Sequence, residues 1–339
     1  FYNLTVSGTG RLTPQDKTTV SNNFSLASGS SWTPGATTLA LSSGSGGTVT
    51  DGRSTLTTLG KANITGTNVV AGSDLLVTTM TVTGTFHQGA HTVTVTGDLT
   101  ASGGTWDCDS VAGALACGGN LTLGTLSNAG SATQTFNGSA TQTVTPNGQT
   151  FGAVTLTGTG GVALTGTAIF GSLSVSTGET LTAGGASATS LTVSGAITNG
   201  GTITLQSTAA STAASMSAGA DSTNGGTIDL SSTNATAPVT LTMGSGTTLT
   251  NNGTLAVTSS TGTVRLEGAS ATATTTTFTL GGTKALSIGS GCGLTLSGMA
   301  TSIAHTIGAN ETLALGGAAT FSSGLEVNGS GASVAVGAN

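Results

Sequence analysis

The run Thr198-Asn199-Gly200-Gly201-Thr202-Ile203-Thr204-Leu205 returns almost letter for letter as Thr223-Asn224-Gly225-Gly226-Thr227-Ile228-Asp229-Leu230. Ile203 thus recurs as Ile228, and a third copy, Asn251-Asn252-Gly253-Thr254-Leu255-Ala256-Val257, puts Leu255 in the same place. Self-similarity at a nearly fixed period of about 25 residues marks a repeat architecture, in which one unit cannot bury its apolar face until the next stacks on it. Inside each unit apolar and polar residues alternate strictly, the period of a half-buried strand. No segment holds a 3.6-residue period for more than a turn or two. The expected fold is all-β: a right-handed parallel β-solenoid in which one repeat is one coil. Handedness follows from the general preference of parallel crossovers. Asn-Gly-Gly is expected at a corner, supplying residues that tolerate φ > 0, with Asn side chains stacked into hydrogen-bonded ladders along the axis.

The same alternation runs through Val154-Thr155-Leu156, Leu173-Ser174-Val175, Leu191-Thr192-Val193, Leu286-Ser287-Ile288 and Leu325-Glu326-Val327. At roughly 20–25 residues per coil the chain makes about 14–17 coils. Residues 151–339 read as regular coils and 61–150 as more decorated ones. Residues 1–60, which hold Tyr2, Pro14, Trp32 and Pro34, read as an irregular N-terminal cap or inter-subunit pairing segment. A degenerate coil is the alternative there. Leu4-Thr5-Val6-Ser7-Gly8 already has the strand pattern, so Phe1, Tyr2, Leu4 and Val6 are the expected subunit contacts.

Charge limits what such a surface can do. Charged residues make up 5% of the 339, and Gly numbers 56, far from the roughly one-quarter charged composition of ordinary domains. Arg11, Lys17, Arg53 and Lys61 oppose Asp16 and Asp51 up to residue 61, a balance of +2. Arg265 and Lys284 oppose ten acids thereafter, a balance of −8. With no basic stripe, nucleic acid is not an expected partner, but unlike ends can attract one another. No stretch of about 18 apolar residues suggests a membrane-spanning helix. The first residue is not Met and no signal-peptide pattern opens the chain, so the expectation is a processed or partial chain that was exported.

Residues able to carry chemistry are few. Cys108 and Cys117 lie close together in sequence, and in an exported protein the expected arrangement is a local disulfide. Cys292 is left over and reads as a buried small hydrophobe. His87 and His91 flank a turn but lack an evident third ligand. Asp107 and Asp109 offer oxygen donors for Ca²⁺, yet the nearest other carboxylate in sequence is Asp98 and the calcium-binding nonapeptide repeat is absent. No metal, cofactor or catalytic residue is expected. Asp229, Arg265 and Glu267 come nearest to an acid–base group, at a spacing that does not match the repeat. Asn-x-Ser/Thr sequons occur at Asn3, Asn23, Asn63, Asn120, Asn137, Asn234, Asn252, Asn310 and Asn328. They are weak glycosylation candidates, since about six or seven would arise by chance in so Thr- and Ser-rich a chain.

The Leu-Thr-Val-Ser-Gly units and the Asn-Gly-Gly-Thr-Ile repeat resemble the β-helical shafts of bacterial surface proteins: autotransporter passengers, filamentous-haemagglutinin-like adhesins and related extracellular fibres. The likeness covers most of residues 61–339 and is one of repeat style. It implies an extracellular or cell-surface structural rod. Three functions are expected in descending order. The first is a subunit that polymerises head-to-tail into a filament or surface layer, with itself as partner. The second is a monomeric adhesin shaft that binds glycans or surfaces, and the third is a polysaccharide-cleaving β-helix.

Overall fold

The computed structural model describes residues 1–256 with their side chains, except 235, and from 257 onward the backbone of the strands alone. The described residues form an all-β parallel solenoid of about 11 turns, fewer than the roughly 14–17 coils expected from the spacing. Among the described residues the one helical element is a single 3₁₀ turn, Ala129–Ser131. No helix there is long and apolar enough to cross a membrane. The chain forms two compact units, 1–160 and 161–339.

Each unit places three short strands on a coil, and each strand pairs in parallel with its equivalent one coil later. In the first unit one column runs Val69, Phe86, Trp106, Leu126. A second runs Ala62, Met80, Leu99, Leu121, Val144. A third runs Val77, Val95, Cys117, Phe136, Leu156. All of these side chains are buried. In the second unit Val162, Leu181, Ile203, Ile228 and Leu255 form one inward column. Beside it Leu205 and Leu230 are in register with each other and with the backbone of Val257. Ala168, Leu191, Met216 and Leu241 make another column. The repeat period read from Ile203 and Ile228 is therefore the stacking register. Period-2 alternation sends every second residue inward, and burial of each Leu or Ile contributes roughly 1.5–3 kcal/mol.

Asn199, Asn224 and Asn251 form the expected ladder. They are paired in register and no more than 2% exposed. Asn199 Nδ2 donates to Asn224 Oδ1 at 2.6 Å, and Asn224 Nδ2 donates to Asn251 Oδ1. The glycines beside them serve a different purpose from the one expected. None of Gly200, Gly201, Gly225, Gly226 and Gly253 has a positive φ. What the second glycine provides is clearance between coils. A Cβ on Gly226 would stand 1.9 Å from Gly201 O, and one on Gly253 would stand 2.0 Å from Gly226 O. The first glycine is less confined: a Cβ on Gly225 meets nothing nearer than Asn199 O at 3.7 Å.

The N-terminal segment is more regular than expected. Leu4–Val6 pairs in register with Phe24–Leu26, which pairs with the strand Gly47–Asp51. Thr18–Val20 pairs with Leu39–Leu41, so the irregularity of residues 1–60 is minor: it lies in the separate two-stranded pair Arg11–Leu12 with Ser31–Trp32 and in the strandless stretch 52–60. Alternation extends to the first residues because Val6 has the next coil to pack on. Val6 is buried and Leu4 half-buried, each facing its own coil rather than a free surface. The backbone nitrogen of Phe1 donates to Thr19 O at 2.8 Å, and Phe1 O accepts from the Ser21 N–H at 2.8 Å. Of the four contact candidates only the Phe1 and Tyr2 side chains stand in solvent.

The glycine contacts predict a contrast between neighbours. Gly226→Ala should destabilise by about 1–3 kcal/mol, because backbone must move to admit the methyl group. Gly225→Ala should be neutral or stabilising by up to about 1 kcal/mol. Denaturant unfolding of the two variants measures the difference.

Candidate functional site

Corners of the coils are tied by Asx side chains that accept backbone N–H groups from the next coil. Asn23 Oδ1 accepts from Thr48 N–H (2.9 Å), Asp74 Oδ1 from Thr92 N–H (2.7 Å), Asp98 Oδ1 from Asn120 N–H (2.8 Å) and Asp221 Oδ1 from Thr248 N–H (2.9 Å). Three of the chain's acids thus have a structural task, since an unpaired N–H at a corner would lack a ladder partner. In the first unit Asp51 is buried and gripped by Arg53, whose Nε donates to Asp51 Oδ1 at 2.7 Å. One of the four basic residues before residue 62 is therefore spent internally.

One corner is different. His87 closes the strand Thr85–His87, and its Cα partner on the next coil is Asp107. Two residues later Asp109 turns back with φ 55°. His87 Nδ1 lies 2.8 Å from Asp109 Oδ1 and 3.8 Å from Asp107 Oδ2. The remaining oxygens are held from behind. Asp107 Oδ1 accepts from Asp109 N–H and from Asn128 Nδ2, both at 2.8 Å. Asp109 Oδ2 accepts from Gly89 N–H at 3.2 Å. Burial pushes the Asp107 carboxyl up, but these hydrogen bonds, His87 and Ser127 outweigh it and hold the group below its ordinary value. Beneath the corner lies a buried polar pair: Trp106 Nε1 donates to Gln88 Oε1 at 2.8 Å, and Gln88 Nε2 donates to His91 O at 3.0 Å. Trp106 packs against Phe86 with ring centroids 4.9 Å apart and the rings tilted by 59°.

His87 and the two aspartates were separate candidates in the sequence, each lacking a third donor. Stacking brings them together, because Phe86 and Trp106 are equivalent residues of successive coils and pair in register. Among the described residues His87, Asp107 and Asp109 are the one group of His, Cys, Asp or Glu able to hold a metal. His91 does not join them; its Nδ1 stands 3.8 Å from Asp74 Oδ1. Asp229 shares a column with Thr204 and Ala256, whereas Arg265 shares one with Thr240 and Ser287, so the backbone register puts them on different strand columns. The side chains of Arg265 and Glu267 and the side chain of Cys292 lie outside the described residues.

The expected Cys108–Cys117 disulfide is not formed; both thiols are free and buried. Cys108 sits at the corner, its Sγ 3.9 Å from Gln88 Oε1. Cys117 ends the strand Ala114–Cys117, its Sγ 3.4 Å from Gly119 O. Burial first, then Asp107 and Asp109, pushes the Cys108 thiol up to about 12. Burial, with Asp98 adding to it, pushes Cys117 up to about 11.

Of the sequons, Asn3, Asn120, Asn137 and Asn252 are exposed, and Asn23, Asn63 and Asn234 are half-buried. Asn310 and Asn328 lie outside the described residues. Several carbonyls are already in use: Asn3 Oδ1 accepts from Asn23 N–H at 3.1 Å and Asn120 Oδ1 from Thr143 N–H at 2.8 Å.

No family model, no curated protein and no solved structure matches this chain.

Thiol chemistry tests the cysteine placement. At pH 8 a thiol reagent should label neither Cys108 nor Cys117 in folded protein, and should label both after unfolding with no reductant added. A bond between them would leave both silent until reduction. Because both thiols titrate higher folded than unfolded, the stability they contribute is complete below about pH 8.5 and falls as pH rises towards 11–12.

Proposed function

We propose that this chain is a structural subunit that assembles head-to-tail, through the ends of its solenoid, into an extracellular filament or surface layer. The observation that carries the reading is the stacking mode itself: strands of successive coils pair in parallel and in register, a pairing that a strand of a second copy can extend. Leu4 N–H donates to Asn23 O and Val6 O accepts from Ala27 N–H, both at 2.9 Å. Backbone groups alternate sides along a strand, so Thr5 N–H and C=O face away from the second coil, and Thr5 is exposed. An edge of this kind templates a further parallel strand. In the second unit the same parallel pairing continues to Ser333–Val336, in register with Thr312–Leu315. Two unlike ends joined without ring closure give an open filament. A surface 5% charged over 339 residues gives little electrostatic resistance to such association.

The resemblance to autotransporter passengers and filamentous-haemagglutinin-like adhesins supports an exported rod and supplies the second reading, a monomeric shaft that binds glycans or surfaces. The exposed Phe1 and Tyr2 favour burial against a second copy. Polysaccharide cleavage has less support. Asp109 and Asp107 face His87 Nδ1 at 2.8 and 3.8 Å, and no Arg or Lys is paired with either among the described residues.

Thr5→Pro removes the outward donor without touching the bonds to the second coil, and proline is tolerated on an edge strand. Filaments seen by electron microscopy should be lost in this variant while its circular dichroism is unchanged. Normal filaments from Thr5→Pro protein, or a wild-type chain that stays monomeric at high concentration, would contradict the proposal.

A further inference from the structure

The corner at His87 has more order than a hydrogen-bonded turn needs. Each carboxylate has one oxygen fixed by a donor outside the group: Asn128 Nδ2 holds Asp107 Oδ1, which the Asp109 N–H also reaches, and Gly89 N–H holds Asp109 Oδ2. The second oxygen of each is turned towards the same atom, His87 Nδ1. We propose that His87, Asp107 and Asp109 form a binding site for a divalent first-row transition ion, with Zn²⁺ as its test case.

Three observations support the assignment. Ligands about 2.0–2.1 Å from Zn²⁺ stand roughly 2.9–3.4 Å apart, from octahedral to tetrahedral angles. The separations at His87 Nδ1, 2.8 Å to Asp109 and 3.8 Å to Asp107, bracket that range. A small rotation of the Asp107 carboxylate therefore completes the set. Secondly, the outer hydrogen bonds orient the donors as supporting partners do in metal sites. Asn128 lies on the coil after Asp107 and Gly89 on the coil of His87, so three consecutive coils hold the arrangement. Thirdly, two carboxylates beside one imidazole carry a negative charge that a divalent cation neutralises. Among the described residues no Arg or Lys does so. The imidazole nitrogen favours zinc-like ions over Ca²⁺, which takes six to eight oxygens.

Three protein ligands leave coordination positions open to water or to a carboxylate from outside. Ligands come from two successive coils, His87 from one and both aspartates from the next. A bound ion would add a cross-link to the hydrogen bonds that already join these coils here, Trp106 to Gln88 and Gly89 to Asp109 among them. Nothing in this site depends on the assembly proposed above.

The test is calorimetric titration of Zn²⁺ into the chelator-stripped full chain. One equivalent should bind, and the melting temperature should rise with it. His87→Ala and Asp109→Asn should each weaken binding by at least about tenfold and abolish the rise in melting temperature. His91→Ala, at the neighbouring turn, should leave both unchanged. Asp109→Asn keeps the side-chain shape, and circular dichroism of each variant checks that the solenoid is intact. No heat of binding at millimolar Zn²⁺, or one equivalent bound undiminished by both His87→Ala and Asp109→Asn, would overturn the site.

Discussion

Among the described residues the coils find their backbone partners in neighbouring coils. Leu4 bonds to Asn23, Val6 to Ala27, Ser42 to Val20 and Thr65 to Leu41, always across one turn. A coil alone would leave most of its N–H and C=O groups to water and its Leu, Val and Ile columns exposed. Stacking satisfies both at once, and the strand spacing of about 4.8 Å then dictates everything else. It sets the register of the columns, the clearance that Gly226 and Gly253 must give, and the reach that lets Asn199 touch Asn224.

That spacing also explains the polar interior. Identical groups held one strand apart can bond along the axis without leaving the core, so Asn199, Asn224 and Asn251 are buried and satisfied together. Corners use the same distance differently. Asp74, Asp98 and Asp221 each reach one coil along to an N–H that the sheet leaves over. At His87 the reach brings two acids of one coil against the imidazole of another. A chain with few charged residues thus places several of its acids where coil meets coil.

The repeat was legible in sequence because an inward residue at every second position, copied from Ile203 to Ile228 with its neighbours, has one reading. The columns of Ile203 with Ile228 and Leu205 with Leu230 follow from it directly. The His87–Asp107–Asp109 group was not legible. Its coil, from Phe86 to Trp106, is shorter than the one from Ile203 to Ile228, so the offset read downstream could not align His87 with Asp107. The role of Gly226 was misread because sequence shows a missing side chain but not whether φ or clearance requires its absence. The Cys108–Cys117 pairing failed for a related reason: nearness in sequence does not say which neighbours a thiol meets, and Cys108 Sγ lies against Gln88 Oε1 whereas Cys117 Sγ lies against Gly119 O. At the N-terminus, unusual composition around Trp32 and Pro34 suggested irregularity, whereas Trp32 fits the coil with its indole N–H donating to Leu59 O at 3.0 Å.

Register is the claim on which the account rests, and methyl contacts report it directly. In protein with labelled Ile, Leu and Met methyl groups, nuclear Overhauser cross-peaks should link Ile203 with Ile228, Leu205 with Leu230, and Met216 with Leu241. All three pairs are in register and buried. Absence of these three cross-peaks, with Ile203 instead contacting Leu230 alone, would mean a slipped stack and would contradict the structure described here.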